Sequence, residues 1–351
     1  MIDSQQPRTG MEPEMRVGIV GGGMAGLSAA TTLASEGIVV DVFDKGRGPG
    51  GRASTRRVDK ADRSVTFDHG AQYFTVRDDR FAKVVERWIS GGACAPWVGQ
   101  IATLDTEGEL QAKPEGPTRL VGTPRMNAIV SELAQSLPMN AKVAFSTRVE
   151  RVDRSSRGWA VEGAEDALGD YDALIVTAPS PQSYELLRGK SDLAERAQEF
   201  TMQPCWAVMA AFDEPLPIEA DGVFVNVPGN PLSWLARDSS KPGRPPGERW
   251  MMHADPEWSQ KHVEDERPSV QTALLRAMEQ ALQLQLPDAA YVAAHRRRYA
   301  QTSSAVDDGA AIDQLQNLAI AGDWCNGGRV EGAFLSGCIA ADLVLKNLRG
   351  C

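Results

Sequence analysis

The sequence predicts an α/β protein, a Rossmann-type nucleotide-binding domain with an α+β substrate domain inserted into it. Three observations carry that expectation. Near the start, Arg16-Val17-Gly18-Ile19-Val20 runs into the turn Gly21-Gly22-Gly23-Met24-Ala25-Gly26 and then a small-residue helix. Near the other end, Leu318-Ala319-Ile320-Ala321-Gly322-Asp323 leads to Val330-Glu331-Gly332-Ala333 and a second such helix. Between them lie tryptophan-rich stretches of different character. A domain that binds only a nicotinamide cofactor needs the first motif and has no use for the second. A domain that lays FAD along its sheet needs both, one for the pyrophosphate and one for the ribitol and flavin ring.

Each element follows in order. Val17, Ile19 and Val20 lack polar alternation, as suits a strand covered on both faces. The helix from Met24 carries Leu27, Ala30, Leu33 and Ala34 at helical spacing and stops at Gly37, a residue suited to a C-terminal cap. Residues 38–43 form a second buried strand. In region 123–180, Met126, Ile129, Val130, Leu133 and Leu137 make one helical stripe. Residues 141–152 and 158–161 suggest a hairpin, and 173–176 a buried strand. Further on come a strand at 205–212, a loop at 241–246 and a long helix at 269–286. The expected division is a leader at 1–14, a discontinuous FAD-binding domain (15–75, 119–185, 312–351), and a substrate domain (76–118, 186–311).

Composition excludes several classes. At 351 residues the chain has room for about two domains with proper cores. A formal charge of −10 argues against a nucleic-acid partner, which requires a basic face. The five cysteines are scattered and lack metal-ligand spacing, which suits a reducing cytoplasm and no metal site. No apolar run approaches the length of a membrane span. The first fourteen residues are polar, with no apolar core of a signal peptide.

The cofactor residues are read from the chemistry each position needs. Gly21 permits the tight bend, Gly23 lets backbone approach a phosphate, and Gly26 lets the helix sit close to the strand. The positive helix end at Met24-Ala25 then faces the pyrophosphate. Asp44, ending the second strand, is placed for ribose hydroxyls. Lys45-Gly46-Arg47-Gly48-Pro49-Gly50-Gly51-Arg52 is a glycine-rich turn with basic side chains. Arg52 is its natural phosphate ligand and Gly51 its close approach. Gly70 and Ala71 let backbone lie against a flat ring, and Gln72 and Tyr73 project toward substrate. The alternative for Tyr73 and Phe74 is a turn before a core strand. Val149 joins the cofactor set. At the far end, Gly322 and Asp323 are placed for a ribitol hydroxyl. Gly332 and Ala333 present free N–H groups to the negative charge of reduced flavin. Glu331 has a plain capping explanation as well.

These motifs together resemble the flavin-containing amine oxidase superfamily. They are Gly21-x-Gly23-x-x-Gly26, Gly48-Pro49-Gly50-Gly51-Arg52, Asp68-His69-Gly70-Ala71-Gln72-Tyr73 and Gly322-Asp323…Glu331-Gly332-Ala333…Ser336-Gly337. Within it the chain is similar to the renalase-like branch, in residues 234–241, His253 and Arg298-Tyr299. The resemblance covers nearly all of 15–348. It implies a p-hydroxybenzoate-hydroxylase-like architecture with non-covalent FAD. It also implies oxidation of 2- or 6-dihydro isomers of NAD(P)H to NAD(P)+, with molecular oxygen leaving as hydrogen peroxide. One departure helps choose. Amine oxidases of the monoamine type carry a tyrosine two residues before the glutamate of the last helix, where this chain has Arg329. A guanidinium there repels an ammonium substrate; the alternative is a structural ion pair for Arg329.

A dihydropyridine gives up hydride from carbon and becomes aromatic, so positioning is required and a general base is not. His253 and Arg298 are the expected orienting residues, with Gln72, Tyr299 and Arg329 beside them. A satisfied strand histidine is the alternative for His253. Cys325 reads as a small packed side chain and Trp206 and Trp234 as walls or core. Two other functions stay open: an amine or polyamine oxidase, and an FAD-binding protein with little turnover.

Overall fold

The computed structural model describes residues 14–60, 63–114, 116–303 and 307–350. The expected leader lies, except for its last residue, outside them. Five parallel strands and one antiparallel edge strand make the first sheet. Its order is Ala310–Asp313, Leu318–Ala321, Ala173–Val176, Arg16–Val20, Val39–Phe43 and Ala141–Ala144. The expected covering of both faces is borne out. Val17, Ile19, Val40 and Val42 face the first helix, Met24–Ser35, and the last, Val330–Leu348. Val20, Phe43, Leu174 and Val176 face a three-stranded antiparallel sheet, Arg151–Ser155, Gly158–Glu162 and Ala167–Tyr171. Gly18 has no side chain because the Tyr171 ring fills that place: a Cβ would sit 2.9 Å from it.

Two sequence expectations need correction. Residues 141–152 are not one arm of a hairpin: 141–144 pair in parallel with Val39–Phe43, and only 151–155 turn back on 158–162. Apolar content alone cannot separate a parallel edge strand from a hairpin arm. The long helix runs Arg267–Leu282, ending where Gln283 turns left-handed at φ 50°. Gly37 does close the first helix, at φ 85°.

The second large sheet is mixed and seven-stranded. Its order is Tyr291–Thr302, Met202–Phe212, Glu248–Ala254, Leu232–Arg237, Gly222–Val225, Ile101–Leu104, Leu110–Ala112. Alternation divides it: Trp206, Val208 and Ala210 face the helix Arg267–Leu282, whereas Ala207, Met209, Trp234 and Met251 face the other core. Trp206 and Trp234 are therefore core residues. Helix Asp79–Ser90 packs on that core through Phe81, Val85 and Trp88, with Asp78 accepting the Arg80 and Phe81 N–H groups at its N-terminus.

The first and last helices touch along a line of small residues. Gly337 lies against the Ala25 carbonyl and the Ser28 hydroxyl, with no room for a Cβ. Ser28 Oγ donates to the Phe334 carbonyl at 2.8 Å, and the Gly322 N–H donates to Ser336 Oγ at 2.8 Å. Gly337→Val should therefore part the helices and cost about 1–3 kcal/mol, read as a lower urea midpoint. An unchanged midpoint would mean this crossing bears no stability.

Candidate functional site

A single cavity of about 2170 Å³ runs between the C-terminal ends of the parallel strands and the exposed end of the second sheet. Ligand pockets are typically about 300–1,000 Å³, so this one has room for a dinucleotide and a second molecule. It is lined by Gly21, Gly23, Met24, Ala25, Asp44, Lys45, Gly51, Arg52, Gly70, Ala71, Gln72, Val149, Gly322, Asp323, Arg329, Glu331 and Ala333, as well as His253 and Tyr299. Two expected cofactor residues stand behind the wall. Gly26 and Gly332 press on the carbonyls of Gly21 and Asn326, where no Cβ fits.

The glycine turn is shaped for a close approach. Gly21 has φ 108°, which a side chain would strain. Gly23 has open space for 4 Å around the place its Cβ would take, on the cavity side of the helix start. Asp44 braces this turn, accepting the Gly22 and Gly46 N–H groups at 2.6 Å each. Donors at a helix start, a bare glycine facing open space and an acid on the next strand together fit a dinucleotide such as FAD.

Arg52 forks onto Asp323 through both terminal nitrogens. Read from sequence as a phosphate ligand, it instead ties the glycine-rich segment to the C-terminal motif. Glu331 differs too. It is 3% exposed and accepts the Arg77 and Asp78 N–H groups at 2.6 and 2.9 Å, so it caps the approach to a different helix from its own. Arg329 is half-exposed and stands 3.9 Å from Glu331, a loose contact.

Gln72 is committed to structure. Its amide donates to the Asp68 and Gly70 carbonyls, and its oxygen accepts from Lys241 at 3.1 Å. Behind it lie four buried charges. Lys241 reaches Asp238 at 2.9 Å and Asp68 at 3.6 Å, and Arg244 also bonds Asp68. Asp68 further accepts from Thr55 and the Met126 N–H. Burial pushes the Asp68 carboxyl up, but Lys241 and Arg244 outweigh it and hold it below the usual range. For Asp238 burial wins and the carboxyl is raised.

Arg298 is not brought to the cavity. It is exposed and forks onto Glu264 at 2.5 and 2.9 Å. Alternation on its strand sends His295, Arg297 and Tyr299 inward and Arg296 and Arg298 outward. The sequence reading missed Arg297, His295 and His69. Arg297 donates to Ser54 Oγ at 2.7 Å, and its Nη2 lies 3.1 Å from His69 Nδ1. The His69 and His295 rings stand 4.4 Å apart. His253 Nε2 is buried without a partner. Burial, then the Arg297 charge, drives all three imidazoles down, His69 to about 2 and His253 and His295 to about 4. Cys325 is buried and its thiol is pushed up, so it is inert. Among the described residues no group of side chains could hold a metal ion.

The wall is cationic in an acidic protein. Twelve lysines and arginines line it against five carboxylates, while the whole chain carries −10. Such a cavity draws in anions.

A family described as NAD(P)-binding Rossmann-like domain matches residues 19–88, and one described as flavin containing amine oxidoreductase matches residues 88–345. Among curated proteins, a zeta-carotene-forming phytoene desaturase of Myxococcus xanthus is 50% identical over 55 residues, 16% of this chain. The match spans about a tenth of that relative's length. Among solved structures, a protein of Exiguobacterium sp. 255-15 assigned as a protoporphyrinogen oxidase superposes with TM-score 0.78 at 16% identity, covering 96% of this chain and 100% of that one. Cyclohexylamine oxidase from Brevibacterium oxydans IH-35A superposes with TM-score 0.74 at 12% identity, with the same coverage. At these identities the likeness is one of fold.

Two outcomes follow. Gly23→Val should leave apoprotein stability within about 0.5 kcal/mol yet abolish FAD uptake, read by thermal melting and by absorbance after reconstitution. The three neutral histidines also make the fold acid-sensitive. Below the ordinary value of about 6.5 the unfolded chain binds protons that the folded one refuses. Stability should thus be full above about pH 6.5 and fall toward about pH 4, by up to about 3 kcal/mol for His253. His253→Asn should flatten that slope; a slope equal to wild type counts against it.

Proposed function

The chain belongs to the flavin containing amine oxidoreductases, and on that premise we propose an FAD-dependent oxidase of misreduced nicotinamides in its renalase-like branch. The family makes it a flavin-dependent oxidoreductase with FAD as cofactor. The substrate is the proposal: 2- or 6-dihydro-NAD(P), oxidised to NAD(P)+. Among the described residues no helix is long and apolar enough to cross a membrane. The four described cysteines are free, which supports a place in the cytoplasm.

The observation that carries the reading is the cationic wall. FAD brings two negative phosphates, which leaves an excess of arginines and lysines for something else. A dinucleotide substrate adds two more phosphates, whereas an ammonium substrate adds repulsion. The amine alternative rests on the family itself. It has to seat a cation beside Arg297 and Arg329.

When bound, FAD supplies the hydride acceptor and passes the electron pair to oxygen. The ring carbon loses hydride, the pyridinium forms, and dioxygen with one proton from solvent becomes hydrogen peroxide. The chain's own work is positioning. The turn Gly21–Gly26 and the helix start at Met24-Ala25 would receive the pyrophosphate, with Asp44 beside the ribose. Asp323, aligned by Arg52, and the positive end of the last helix would hold the ribitol and ring; the Ala333 N–H expected to be free is instead bonded to the Arg329 carbonyl at 2.9 Å. His253, neutral and with Nε2 unpaired, offers one hydrogen bond to an uncharged carboxamide without repelling the pyridinium. Tyr299 borders the same space. Burial of the ring between the two sheets would exclude water from the hydride path.

Anaerobic protein mixed with 6-dihydro-NAD or 2-dihydro-NAD should lose its oxidised flavin absorbance, and simple amines should leave it intact. The reverse pattern would sink the proposal in favour of the amine reading. Arg298→Ala should keep kcat/KM within about twofold, since its side chain faces solvent.

A further inference from the structure

Arg297 is a cavity cation without a counter-charge. It stands on the strand Tyr291–Thr302, opposite Cys205. Its Nη2 is occupied by Ser54 Oγ and His69 Nδ1, both neutral. Its Nε is buried with no hydrogen-bond partner. Among the described residues no carboxylate pairs with it, whereas Arg52, Arg296, Arg298 and Arg329 each have one.

The surrounding groups supply no negative charge, and the nearby Arg52 adds a second positive one. The three imidazoles are held neutral, and burial pushes the Cys205 thiol up to about 12. Burial lowers Arg297 itself only to about 10, so it remains a cation at neutral pH. A charge taken from water costs several kcal/mol where nothing offsets it. Position adds a second clue. Nη2 lies 3.0 Å from where a Cβ on Gly70 would sit, and Ala71 N–H bonds the Arg52 carbonyl at 3.0 Å. Arg297 therefore adjoins the backbone expected to lie against the ring.

We propose that Arg297 is the fixed cation of an anion subsite at the redox end of the cavity, with its counter-charge supplied by the ligand. The shared chemistry is one negative charge, from an oxyanion of substrate or product, or from the flavin once reduced. The proposal rests on FAD occupying this cavity and not on which donor reduces it.

The test uses FAD-loaded wild type, Arg297→Met and Arg297→Lys, with two probes. Sulfite adds to oxidised flavin and leaves negative charge on the ring. NAD+ tests the substrate side, by its perturbation of the flavin spectrum. If the flavin is the source, Arg297→Met weakens sulfite binding at least about tenfold and lowers the flavin midpoint potential, with NAD+ affinity unmoved. If the bound nucleotide is the source, NAD+ affinity falls by that factor and sulfite binding holds. Arg297→Lys should restore part of either loss. Both affinities within about twofold of wild type would overturn the subsite, as would losses that Arg297→Lys does not relieve. Arg297→Gln answers the same question should the methionine variant not fold. Apoprotein melting gives an independent reading: removing a lone buried charge should raise the midpoint of Arg297→Met. Failure of dihydropyridines to bleach the flavin would leave the sulfite result standing, so the two readings fail separately.

Discussion

Everything in this molecule depends on the first and last helices lying closer than ordinary side chains allow. Gly337 rests on the Ala25 carbonyl, Ser28 reaches across to Phe334, and Ser336 holds Gly322. That crossing brings the glycine turn and the C-terminal motif to one end of the parallel sheet, where the Arg52–Asp323 fork joins them. Closing so long a loop carries an entropic cost that grows slowly with length. Contacts between small residues offset it, because backbone meets backbone across the gap.

The site's electrostatics follow from what surrounds each charge. Asp68, Asp238, Lys241 and Arg244 are buried together and balance one another. The cations of the cavity wall are not balanced, and they sit in a chain whose overall charge is negative. Such a wall is stabilised by whatever anion occupies it, so cofactor binding and folding stability are linked. The imidazoles around Arg297 stay neutral for the same reason: desolvation and a nearby cation both oppose protonation.

Local features were legible in the sequence, as was the meeting of the two end motifs, whereas the side-chain partners chosen across the fold were not. The turn at Gly21–Gly26, the cap at Gly37 and the strand Ala173–Val176 depend on neighbours a few residues away, and each stands where its pattern placed it. The fate of Arg298 depends on strand parity. The pairing of Met202–Phe212 with Tyr291–Thr302 shifts register between Gln203 and Cys205, beside Arg297, and no local signal reports such a bulge. Alternation along 295–299 could have grouped His295 with Arg297 and Tyr299, but it could not say which face was inward. Arg52 and Glu331 went to partners far along the chain, a choice that composition does not encode. The 141–144 strand was misread because an exposed parallel edge strand and a hairpin arm share one pattern.

The four-charge cluster has a mechanical meaning beyond its balance. Asp68 belongs to the segment that walls the ring, while Lys241 and Arg244 sit on the loop between strands of the second sheet. With Thr55 and Met126 fastened to the same carboxylate, that segment is bolted to the loop of the second sheet. Opening by a hinge would strand buried ions.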